Sequence, residues 1–452
     1  MENIRVRFAP SPTGKVHIGN IRAAIYNWLY ARHTGGKFLL RVEDTDLERS
    51  TPEAIQVLFE CMKWLGLDYD EEVFYQTKNV KRHLEVVEQL IASGHAYKCE
   101  KTSRDGKTGT VVMFKMPKEG VIEYDDIVKG HMAKKAEDIQ DFAIVRSDGS
   151  PIFHIANVVD DIDQGVTHII RGDDHVENTF KHICIFKALG AAVPKYGHLS
   201  MIVNAQGKPY SKRDGAAFVG EYREEGYLPE ALFNYLLLLG WNPGDDREVL
   251  TKEEMIKEFD LEKVHVTAAK FDLKKLQWMN GEYIKKIPAE EFKAKLMAVA
   301  SQSSAAAPAA RESSAAASAA RDDIWWSYLS AQVQPRTKFL NDLGAGLEYL
   351  FSDDFPVDEK AVEKRLKTEG AKKALGEVIA LFKGVSEDGW LAPALEELVK
   401  GLSQGNGMGA WVHPIRVAVS GRGEGIGLFE MLQLLGKEKS LERLEKAEAV
   451  AL

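Results

Sequence analysis

The chain has 452 residues and a formal net charge of −9, and 45% of its residues are hydrophobic. Length and composition are those of a globular protein of about three domains, and the acidic balance argues against general affinity for nucleic acid. The longest apolar run, near Leu236–Leu239, is too short to span a bilayer, and the N-terminus lacks a signal-peptide layout. We therefore expect a cytoplasmic protein with no membrane partner.

Cysteine usage excludes two further classes of protein. The three cysteines, Cys61, Cys99 and Cys184, include no closely spaced pair. This spacing rules out a disulfide framework and a four-cysteine zinc site. Cys99 is expected to be an ordinary thiol, and no zinc is predicted.

The N-terminal residues predict an α/β fold. Ile4–Ala9 alternates like a short strand, Pro10–Asn20 is a loop rich in proline and glycine, and apolar residues at helical spacing follow from Ile21. Thr34-Gly35-Gly36 ends this helix, and Lys37–Val42 is a second strand. A strand, loop, helix and strand in this order form a βαβ unit, which predicts a parallel sheet.

Further patterns extend this organisation to about residue 240. Helices are predicted over Thr51–Leu65, Val80–Ser93 and Thr179–Leu189, and strands over Val158–Asp163, Val166–Ile170 and His198–Val203. Tyr97–Ser147, rich in lysine, aspartate and glycine, is interpreted as a small inserted segment. Asn204–Gly215 is a loop, and a helical region follows through Trp241.

The C-terminal third differs in composition. Ser301–Arg321 is almost entirely alanine and serine, either a linker or a poorly specified helix, and helical patterns dominate Asp322–Leu452. These changes predict a catalytic domain in two halves, 1–95 and 155–204, with an insertion, 96–154, between them. A loop with a helical region, 205–300, a linker, 301–321, and an all-helical region, 322–452, follow.

Two loops have compositions that suit a nucleotide site. Pro10–Asn20 follows a strand and opens a helix, where open α/β sheets bind phosphates. Its His17 could donate to a phosphate and its Gly19 would admit a flat base, or His17 could simply cap the helix. Gly207–Gly215 encloses a basic cluster that suits a transferring nucleotidyl group, although a solvated surface loop has the same composition.

Together the two loops resemble the two signatures of class I aminoacyl-tRNA synthetases. Four longer stretches, RFAPSPTGKVHIGN, LLRVEDTDLERS, NVVDDIDQGVTHIIRGDDH and GYLPEALFNYLLLLGW, are more closely similar to glutamyl-tRNA synthetases of the bacterial type. The similarity runs from Val6 to about Tyr283 and resumes at Val333–Arg336 and Pro414–Leu444. The family implies an α/β Rossmann-like catalytic domain with a parallel sheet, a small α+β insertion that binds the acceptor end, and an all-α C-terminal anticodon-binding region.

The resemblance also implies a reaction: ATP-dependent ligation of L-glutamate to tRNA(Glu) through glutamyl-adenylate, with release of AMP and pyrophosphate. ATP with its bound Mg²⁺ would be the cofactor set. tRNA(Glu) would be the partner, charging of tRNA(Gln) stays open, and a monomer is expected. No covalent enzyme intermediate is needed, so catalysis would rest on positioning and electrostatics.

Site residues follow by matching positions. The matches for glutamate are Arg7, Ser11, Glu43, Phe153, Asn157 and Arg171. The matches for ATP are His17, Gly19, Asp174, Ile202 and Lys212, of which His17 and Lys212 are predicted to be catalytic. The two signature motifs end at Pro10, Asn20, Pro209 and Arg213. For Arg171 the alternative is a structural ion pair with Asp173 or Asp174, and for Glu43 it is an acidic run that caps the next helix.

Two positions depart from the family pattern. Pro209 replaces a lysine, and we hypothesise that Lys208 reaches the phosphates instead. Phe153 replaces a tyrosine, which removes a hydroxyl facing the amino acid, unless Phe153 belongs to the core.

Several basic and aromatic residues are candidates for RNA contacts. Arg336, Lys338, Arg416 and Arg422 could bind the anticodon region, and the pairs Lys274-Lys275 and Lys285-Lys286 the tRNA stem. Trp325, Trp326 and Trp411 could stack on bases, or pack in the core.

The sequence leaves three other classes to exclude by experiment. They are a shorter relative that glutamylates a modified tRNA base, a small nucleotidyltransferase with a similar His-Ile-Gly loop, and an RNA-binding relative without activity. The helical region Asp322–Leu452 argues against the first.

Overall fold

Parallel strands form the centre of the first of two units into which the chain divides, Met1–Asn280 and Gly281–Leu452. The computed structural model describes residues 3–12, 14–46, 50–102, 108–302, 321–403 and 407–451. Its strands are β1 (Arg5–Phe8), β2 (Lys37–Val42), β3 (Phe74–Tyr75), β4 (Ala96–Thr102), β5 (Thr108–Phe114), β6 (Val121–Asp126), β7 (Gly130–Lys135), β8 (Phe142–Val145), β9 (His168–Gly172), β10 (Lys195–Leu199), β11 (Ile202–Val203) and β12 (Ala269–Lys270).

The helices of the first unit are α1 (Ile18–Thr34), α2 (Pro52–Leu65), α3 (Val80–Ala92), α4 (Phe153–Asp163), α5 (Val176–Ala188), α6 (Val219–Glu224), α7 (Pro229–Leu238) and α8 (Lys252–Glu258). Helix α9 (Leu273–Lys285) contains the point of division. The helices of the second unit are α10 (Ala289–Gln302), α11 (Asp323–Val333), α12 (Glu359–Arg365), α13 (Ala371–Lys383), α14 (Ala392–Ser403), α15 (Gly409–Ser420), α16 (Leu428–Leu435) and α17 (Lys437–Val450).

Two groups of parallel strands lie edge to edge in the first unit. One sheet has the order β1-β2-β3, and the other the order β7-β6-β10-β9, in which only the β6–β7 pair is antiparallel. The edges meet where the Thr167 backbone N–H donates to the Arg5 carbonyl at 2.9 Å. This arrangement confirms the predicted α/β fold with a parallel sheet, because the carboxyl ends of β1, β9 and β10 come together.

The central strands are buried on both faces. In β2, every residue from Phe38 to Val42 is buried, including Arg41, and in β9 His168–Arg171 are buried as well. Continuous apolar runs of this kind are typical of parallel strands that helices cover on both sides. Helix α1 ends at Gly35, whose φ of 68° is left-handed, and a Cβ on Gly36 would lie 2.6 Å from the Ile4 carbonyl oxygen. The two glycines therefore allow the chain to turn tightly from α1 into β2.

The inserted segment is mainly antiparallel. Strands β4, β5 and β8 form one small sheet, while β6 and β7 form a hairpin. The hairpin is not separate from the core, because Asp126 at the end of β6 pairs with Tyr196 of β10. The insertion thus adds a strand to the central sheet.

Two predicted strands differ from the structure. Val158–Asp163, predicted as a strand, is the second half of α4. The β-branched Val158 and Val159 suggest a strand in a six-residue window, but with Ile155 and Ile162 they follow the i, i+3, i+4, i+7 spacing of a helix. His198–Val203 is divided between β10 and β11, and β11 pairs with β12 instead of continuing the central sheet.

The described part of the second unit is helical, which confirms the predicted all-α C-terminal region. Its core includes Trp326, which stacks on Phe351 at 5.8 Å between ring centroids, and Arg443, which donates to the carbonyls of Tyr349 and Val419. The unit begins at Gly281, earlier than the predicted 322, since α10 packs on α11 and the Gln334 side chain donates to the Ile284 carbonyl.

Most of the alanine and serine stretch lies outside the described residues, although α10 extends to Gln302. Within the described part of the chain, no helix is long and apolar enough to cross a membrane.

Candidate active site

A cavity of about 500 Å³ opens at the carboxyl ends of β1, β9 and β10. Such an edge is where open α/β sheets bind their ligands. Thirteen of the predicted positions line it: Arg7, Pro10, Ser11, His17, Gly19, Asn20, Glu43, Phe153, Asn157, Arg171, Asp174, Ile202 and Pro209. Lys212 and Arg213 are not among the lining residues.

Arg7, which lines the cavity, shares a single carboxylate with the buried Arg41. The Arg7 Nε donates to Asp161 Oδ1 at 3.0 Å, and the Arg41 Nη1 donates to the same oxygen at 2.7 Å. All three groups are buried, and the two guanidinium groups hold the pKa of Asp161 below its ordinary value although burial by itself would raise it. Asp161 therefore stays ionised and fixes both cations.

Glu43 and Asn157 lie beside these arginines and are less completely paired. The Arg41 Nη2 is 3.5 Å from Glu43 Oε1, and burial raises the pKa of Glu43 despite the nearby Arg41 and Arg7. Asn157 Oδ1 accepts from Arg41 Nη2 at 2.8 Å, and its buried Nδ2 has no hydrogen-bond partner among the described residues. The cavity thus presents a buried carboxylate and, beside it, a buried amide donor.

Arg171 differs from Arg7 and Arg41 because its hydrogen-bond partners are neutral. It donates to His198 Nε2 at 3.3 Å, to Thr179 Oγ1 at 2.7 Å and to the His175 carbonyl at 3.3 Å. Within the described residues it pairs with neither Asp173, which bonds Lys129, nor Asp174, which lies near His175. Burial lowers the pKa of Arg171 to about 10, so the group is still a cation at neutral pH. The structure therefore does not support a structural ion pair at this position.

His17 begins α1 and also lines the cavity. Its Nδ1 accepts the Gly19 backbone N–H at 3.1 Å, which makes His17 the helix cap considered in the sequence analysis. Burial lowers the pKa of His17, against a hydrogen bond to the backbone of Tyr210. A neutral ring whose Nδ1 accepts carries its proton on Nε2, so capping leaves His17 with one N–H donor.

The first predicted nucleotide loop contacts the segment that directly follows the second. The Ile18 N–H donates to the Ala217 carbonyl and the Val219 N–H to the Val16 carbonyl, both at 3.0 Å. Pro209 and Tyr210 of the second loop line the cavity. Loops separated by about 190 residues in the chain therefore meet at one site, as the resemblance requires.

The basic cluster of the second loop lies on an exposed turn. Asp214 closes this turn by accepting from the Ser211 N–H and hydroxyl, both at 2.9 Å, and from the Asn204 side chain at 2.8 Å. Lys212 is exposed, as are Arg213 and Lys208. Lys212 lies two residues beyond Tyr210, which reaches the cavity.

Phe153 opens α4 and stacks on His175 with 5.7 Å between ring centroids. It is half-buried and lines the cavity, so it faces the site instead of belonging wholly to the core. Ser11 and Asn20 are exposed at the cavity edge.

Sequence reasoning missed four buried polar residues at this site: Arg22, Arg41, Asp161 and His198. Arg22 lines the cavity and donates to the backbone carbonyls of Ser200 and Leu239. A signal was present for Arg41, because a charged residue inside the apolar run Phe38–Val42 needs a buried partner. In the described residues no group of three metal-ligating side chains is arranged to hold a metal ion, and Cys99 lies partly exposed on β4.

The second unit contains a separate cavity of about 870 Å³. Arg336, Lys338 and Arg422 line it, whereas Arg416 donates to the Ile426 carbonyl at 2.7 Å. Trp326 lies in the core, where Trp325 packs against it with its indole N–H on the Leu434 carbonyl.

The other residues predicted to contact RNA differ in their exposure and in their partners within the protein. The Trp411 indole N–H donates to Glu377 at 2.8 Å. Lys275 pairs with Glu248 and Lys285 with Glu282, while Lys274 is exposed and Lys286 lies over the Tyr283 ring.

Comparison with known families matches almost the whole chain. Residues 3–108 and 101–278 match the catalytic domain of class I tRNA synthetases for glutamate and glutamine (E and Q). Residues 273–448 match an anticodon-binding domain. The order of the two matches is that of the two units.

Individual relatives agree over their full length. Glutamate–tRNA ligase from Francisella philomiragia is 41% identical over 98% of both chains, and that from Symbiobacterium thermophilum is 40% identical over 98% of this chain and 99% of its own. A crystal structure of a glutamate–tRNA ligase from Elizabethkingia meningosepticum with its amino acid covers 100% of both chains at 28% identity, with a TM-score of 0.86. The chain therefore belongs to the glutamate–tRNA ligases, class I synthetases that join glutamate to tRNA in translation.

Proposed function

We propose that the cavity of the first unit binds L-glutamate at its arginine-rich end and ATP beside His17. The observation that carries this assignment is Arg171, a buried cation with neutral partners only, in the same cavity as the buried carboxylate of Glu43. A carboxylate would neutralise the charge of Arg171, and an ammonium group would neutralise that of Glu43. An amino acid with a carboxylate side chain supplies both.

Arg7, Asn157 and Phe153 complete the proposed glutamate subsite. Arg7 provides a second guanidinium, fixed by Asp161, and Asn157 provides the unused Nδ2 donor. Phe153 provides an apolar wall, and Ser11 a hydroxyl at the rim. The two guanidinium groups favour a charged side chain over a neutral amide.

The proposed ATP subsite lies beside His17, in the same cavity. Gly19 leaves room for the base, Ile202 gives it an apolar contact, and Asp174 is an exposed acceptor at the rim. The Nε2–H of His17, which bonds the Tyr210 backbone in the free protein, would exchange that partner for a phosphate oxygen, because Nδ1 is used by the helix cap. Lys212 would approach the phosphates from its exposed turn.

The chemistry proposed for this site is adenylation followed by transfer. An oxygen of the glutamate α-carboxylate attacks the α-phosphorus of ATP, a new P–O bond forms, and the bond to pyrophosphate breaks. Charge builds on the leaving pyrophosphate, where the His17 donor and the Lys212 ammonium would stabilise it. A hydroxyl of the terminal tRNA ribose then attacks the activated carbonyl and AMP leaves with the bonding electrons.

Mg²⁺ would belong to the ATP and not to the protein. The described residues offer no cluster of three metal-ligating side chains, so the phosphates would provide most of its ligands. When bound, it neutralises phosphate charge.

We further propose that residues 96–154 bind the acceptor end, that 205–300 contact the stem and that 322–452 read the anticodon of tRNA(Glu). The cavity lined by Arg336, Lys338 and Arg422 supports the last assignment, because arginine contacts both phosphates and unstacked bases. Charging of tRNA(Gln) is a second outcome to be measured. We also propose that the enzyme acts as a monomer in the cytoplasm, where translation takes place.

Aminoacylation with tRNA(Glu) and tRNA(Gln) transcripts tests this function directly. We expect esterification of tRNA(Glu) that depends on both glutamate and ATP. The variant Arg171→Gln should raise the KM for glutamate and leave the KM for ATP unchanged. Arg82→Gln, which removes an exposed arginine paired with Asp163, is the control. An unchanged KM for glutamate in Arg171→Gln would contradict the assignment of the subsite.

A further inference from the structure

Arg171 is held in place by a chain of hydrogen bonds that begins in the inserted segment. The imidazole of His198 accepts from Arg171 Nε through Nε2, at 3.3 Å. On its other side, His198 Nδ1 lies 2.5 Å from Asp126 Oδ2. Asp126 ends β6, so residues from the insertion and from the core sheet together fix the arginine.

The chemistry of the three side chains determines where the protons lie in this series of hydrogen bonds. A guanidinium group has donors only, so His198 Nε2 accepts from Arg171 Nε and the Thr179 oxygen accepts from Arg171 Nη2. The Thr179 hydroxyl also lies 3.0 Å from His198 Nε2, to which it can donate. Burial lowers the pKa of His198 in spite of the Asp126 hydrogen bond, which keeps the ring neutral. A neutral ring with a bare Nε2 carries its proton on Nδ1, and that proton points to Asp126.

The orientation of Asp126 is fixed independently. Its Oδ1 accepts the backbone N–H groups of Val128, Lys129 and His198 at 3.0, 2.9 and 3.2 Å. Burial would raise the pKa of Asp126, but the hydrogen bonds from His198 and Lys129 bring it below its ordinary value. The ionised carboxylate therefore has one oxygen committed to the backbone and the other to the imidazole.

We propose that Asp126 is a positioning residue for glutamate binding: it keeps the proton of His198 on Nδ1, and thereby keeps Nε2 as the acceptor that aims the Arg171 guanidinium into the cavity. The proposal rests on the proposed role of Arg171. It gives the inserted segment a part in the amino-acid site. The side chain of Asp126 does not itself line the cavity.

Replacement by asparagine separates this role from simple packing. In Asp126→Asn the amide oxygen must face the three backbone N–H groups, so the NH₂ group faces His198 Nδ1. The ring then shifts its proton to Nε2, where it opposes the Arg171 Nε–H. The same exchange of tautomer explains why the equivalent change is so damaging in serine proteases.

The test is aminoacylation of tRNA(Glu) by the full-length Asp126→Asn variant. Loss of one hydrogen bond to a charged group predicts that the KM for glutamate rises about ten- to a hundredfold. The KM for ATP should stay unchanged. Asp125→Asn is the matched control, because Asp125 is the preceding residue on the same strand and is exposed. An unchanged KM for glutamate, or equal rises in both KM values, would overturn the proposal.

A double-variant cycle gives a sharper readout. His198→Gln places an amide oxygen near the Nε2 position, where it accepts from Arg171 without any choice of tautomer. We expect His198→Gln to raise the KM for glutamate only slightly. The double variant Asp126→Asn/His198→Gln should have the same KM, since no ring N–H then opposes the Arg171 Nε–H. A merely structural role for Asp126 would instead make the two effects multiply.

The tautomer can also be observed in the unaltered protein. With ¹⁵N-labelled histidine, and His198→Gln to assign the signal, His198 should show the Nδ1–H form, and an Nε2–H form or an imidazolium would overturn the proposal. If Arg171→Gln leaves the KM for glutamate unchanged, the role of Arg171 fails and the inference fails with it. If Arg171→Gln raises that KM and Asp126→Asn does not, only the inference fails.

Discussion

Replacing Glu43 by glutamine should make the free protein more stable and glutamate binding weaker. Glu43 is 6% exposed, and its nearest cation, Arg41 Nη2, is 3.5 Å away, at the limit of a hydrogen bond. Burial raises the pKa of this carboxylate, which means that folding favours its neutral form. In Glu43→Gln the buried charge disappears at nearly constant volume, while Arg41 keeps Asp161 and Asn157 as partners.

The sign of the pH dependence follows from that raised pKa. A carboxyl group whose pKa is higher in the folded state contributes full stability below its unfolded pKa, near 4.3, and loses it as pH rises through the folded value. Wild type and Glu43→Gln should therefore have similar stability near pH 4, with Glu43→Gln more stable at pH 7. Each unit by which folding raises this pKa corresponds to about 1.4 kcal/mol at neutral pH, and about 1 kcal/mol corresponds to roughly 2–4 °C in Tm at this domain size.

Glutamate binding by Glu43→Gln should weaken although the stability of the variant rises. Removing one partner of a buried charge pair costs about 2–5 kcal/mol, so the KM for glutamate should rise by about thirtyfold or more. Thermal unfolding at pH 4 and pH 7 measures the first effect, and aminoacylation with varied glutamate measures the second. Glu71→Gln, at a more exposed carboxylate paired with Arg5, serves as the control. A variant that is less stable at pH 7 and binds glutamate normally would refute the reasoning.

Four further substitutions test other parts of the site. Lys212→Ala should slow adenylation at least about a hundredfold if Lys212 stabilises the leaving pyrophosphate; Lys208→Ala, measured beside it for rate and ATP affinity, supports the Lys208 hypothesis only if it too weakens ATP use. Phe153→Tyr should lower the KM for glutamate about fivefold, since one net hydrogen bond contributes about 1 kcal/mol, and an unchanged KM would favour a packing role. Asp161→Asn should lower the free energy of unfolding in urea by about 3–5 kcal/mol, because two buried guanidinium groups lose their shared anion. Since the pKa of Asp161 is lowered in the folded protein, this stabilisation is lost only as pH falls below about 4. An unchanged urea midpoint at neutral pH would contradict the prediction.

The sequence predicted the parts of the site that local patterns determine. The loop Pro10–Asn20, the helix that ends at Gly35 and the buried strand Lys37–Val42 all follow from turn residues and apolar spacing, and they bring His17 and Gly19 to the sheet edge. Where a window was too short, the same reasoning failed. Val158–Asp163 looks extended alone, but from Phe153 onward the apolar spacing is helical.

The partners of buried charges could not be predicted in this way. Asp161 lies 154 residues from Arg7, and Asp126 lies 72 residues from His198. Asp161 lies in one of the stretches that resemble the family, but nothing local indicates its partners, and Asp126 lies in a segment that reads as a separate insertion. The strand pairing of Asp126 with Tyr196 and the hydrogen bonds of Asp126 to His198 show that this segment reaches the core. Long-range pairing of polar groups is decided by the tertiary fold, so single-sequence patterns carry little information about it.

The contrast between the arginines explains how this cavity would distinguish glutamate from glutamine. Arg7 and Arg41 share the carboxylate of Asp161, so part of their charge is compensated in the free protein. Arg171 is buried among His198, Thr179 and a backbone carbonyl, none of which carries a negative charge. A bound glutamine would enclose this cation without an anion, and enclosing an unpaired charge is among the most expensive events in a protein interior. Selectivity would thus arise because, in the described part of the free protein, Arg171 has no charged hydrogen-bond partner: neutral groups supply its hydrogen bonds without supplying a counter-charge.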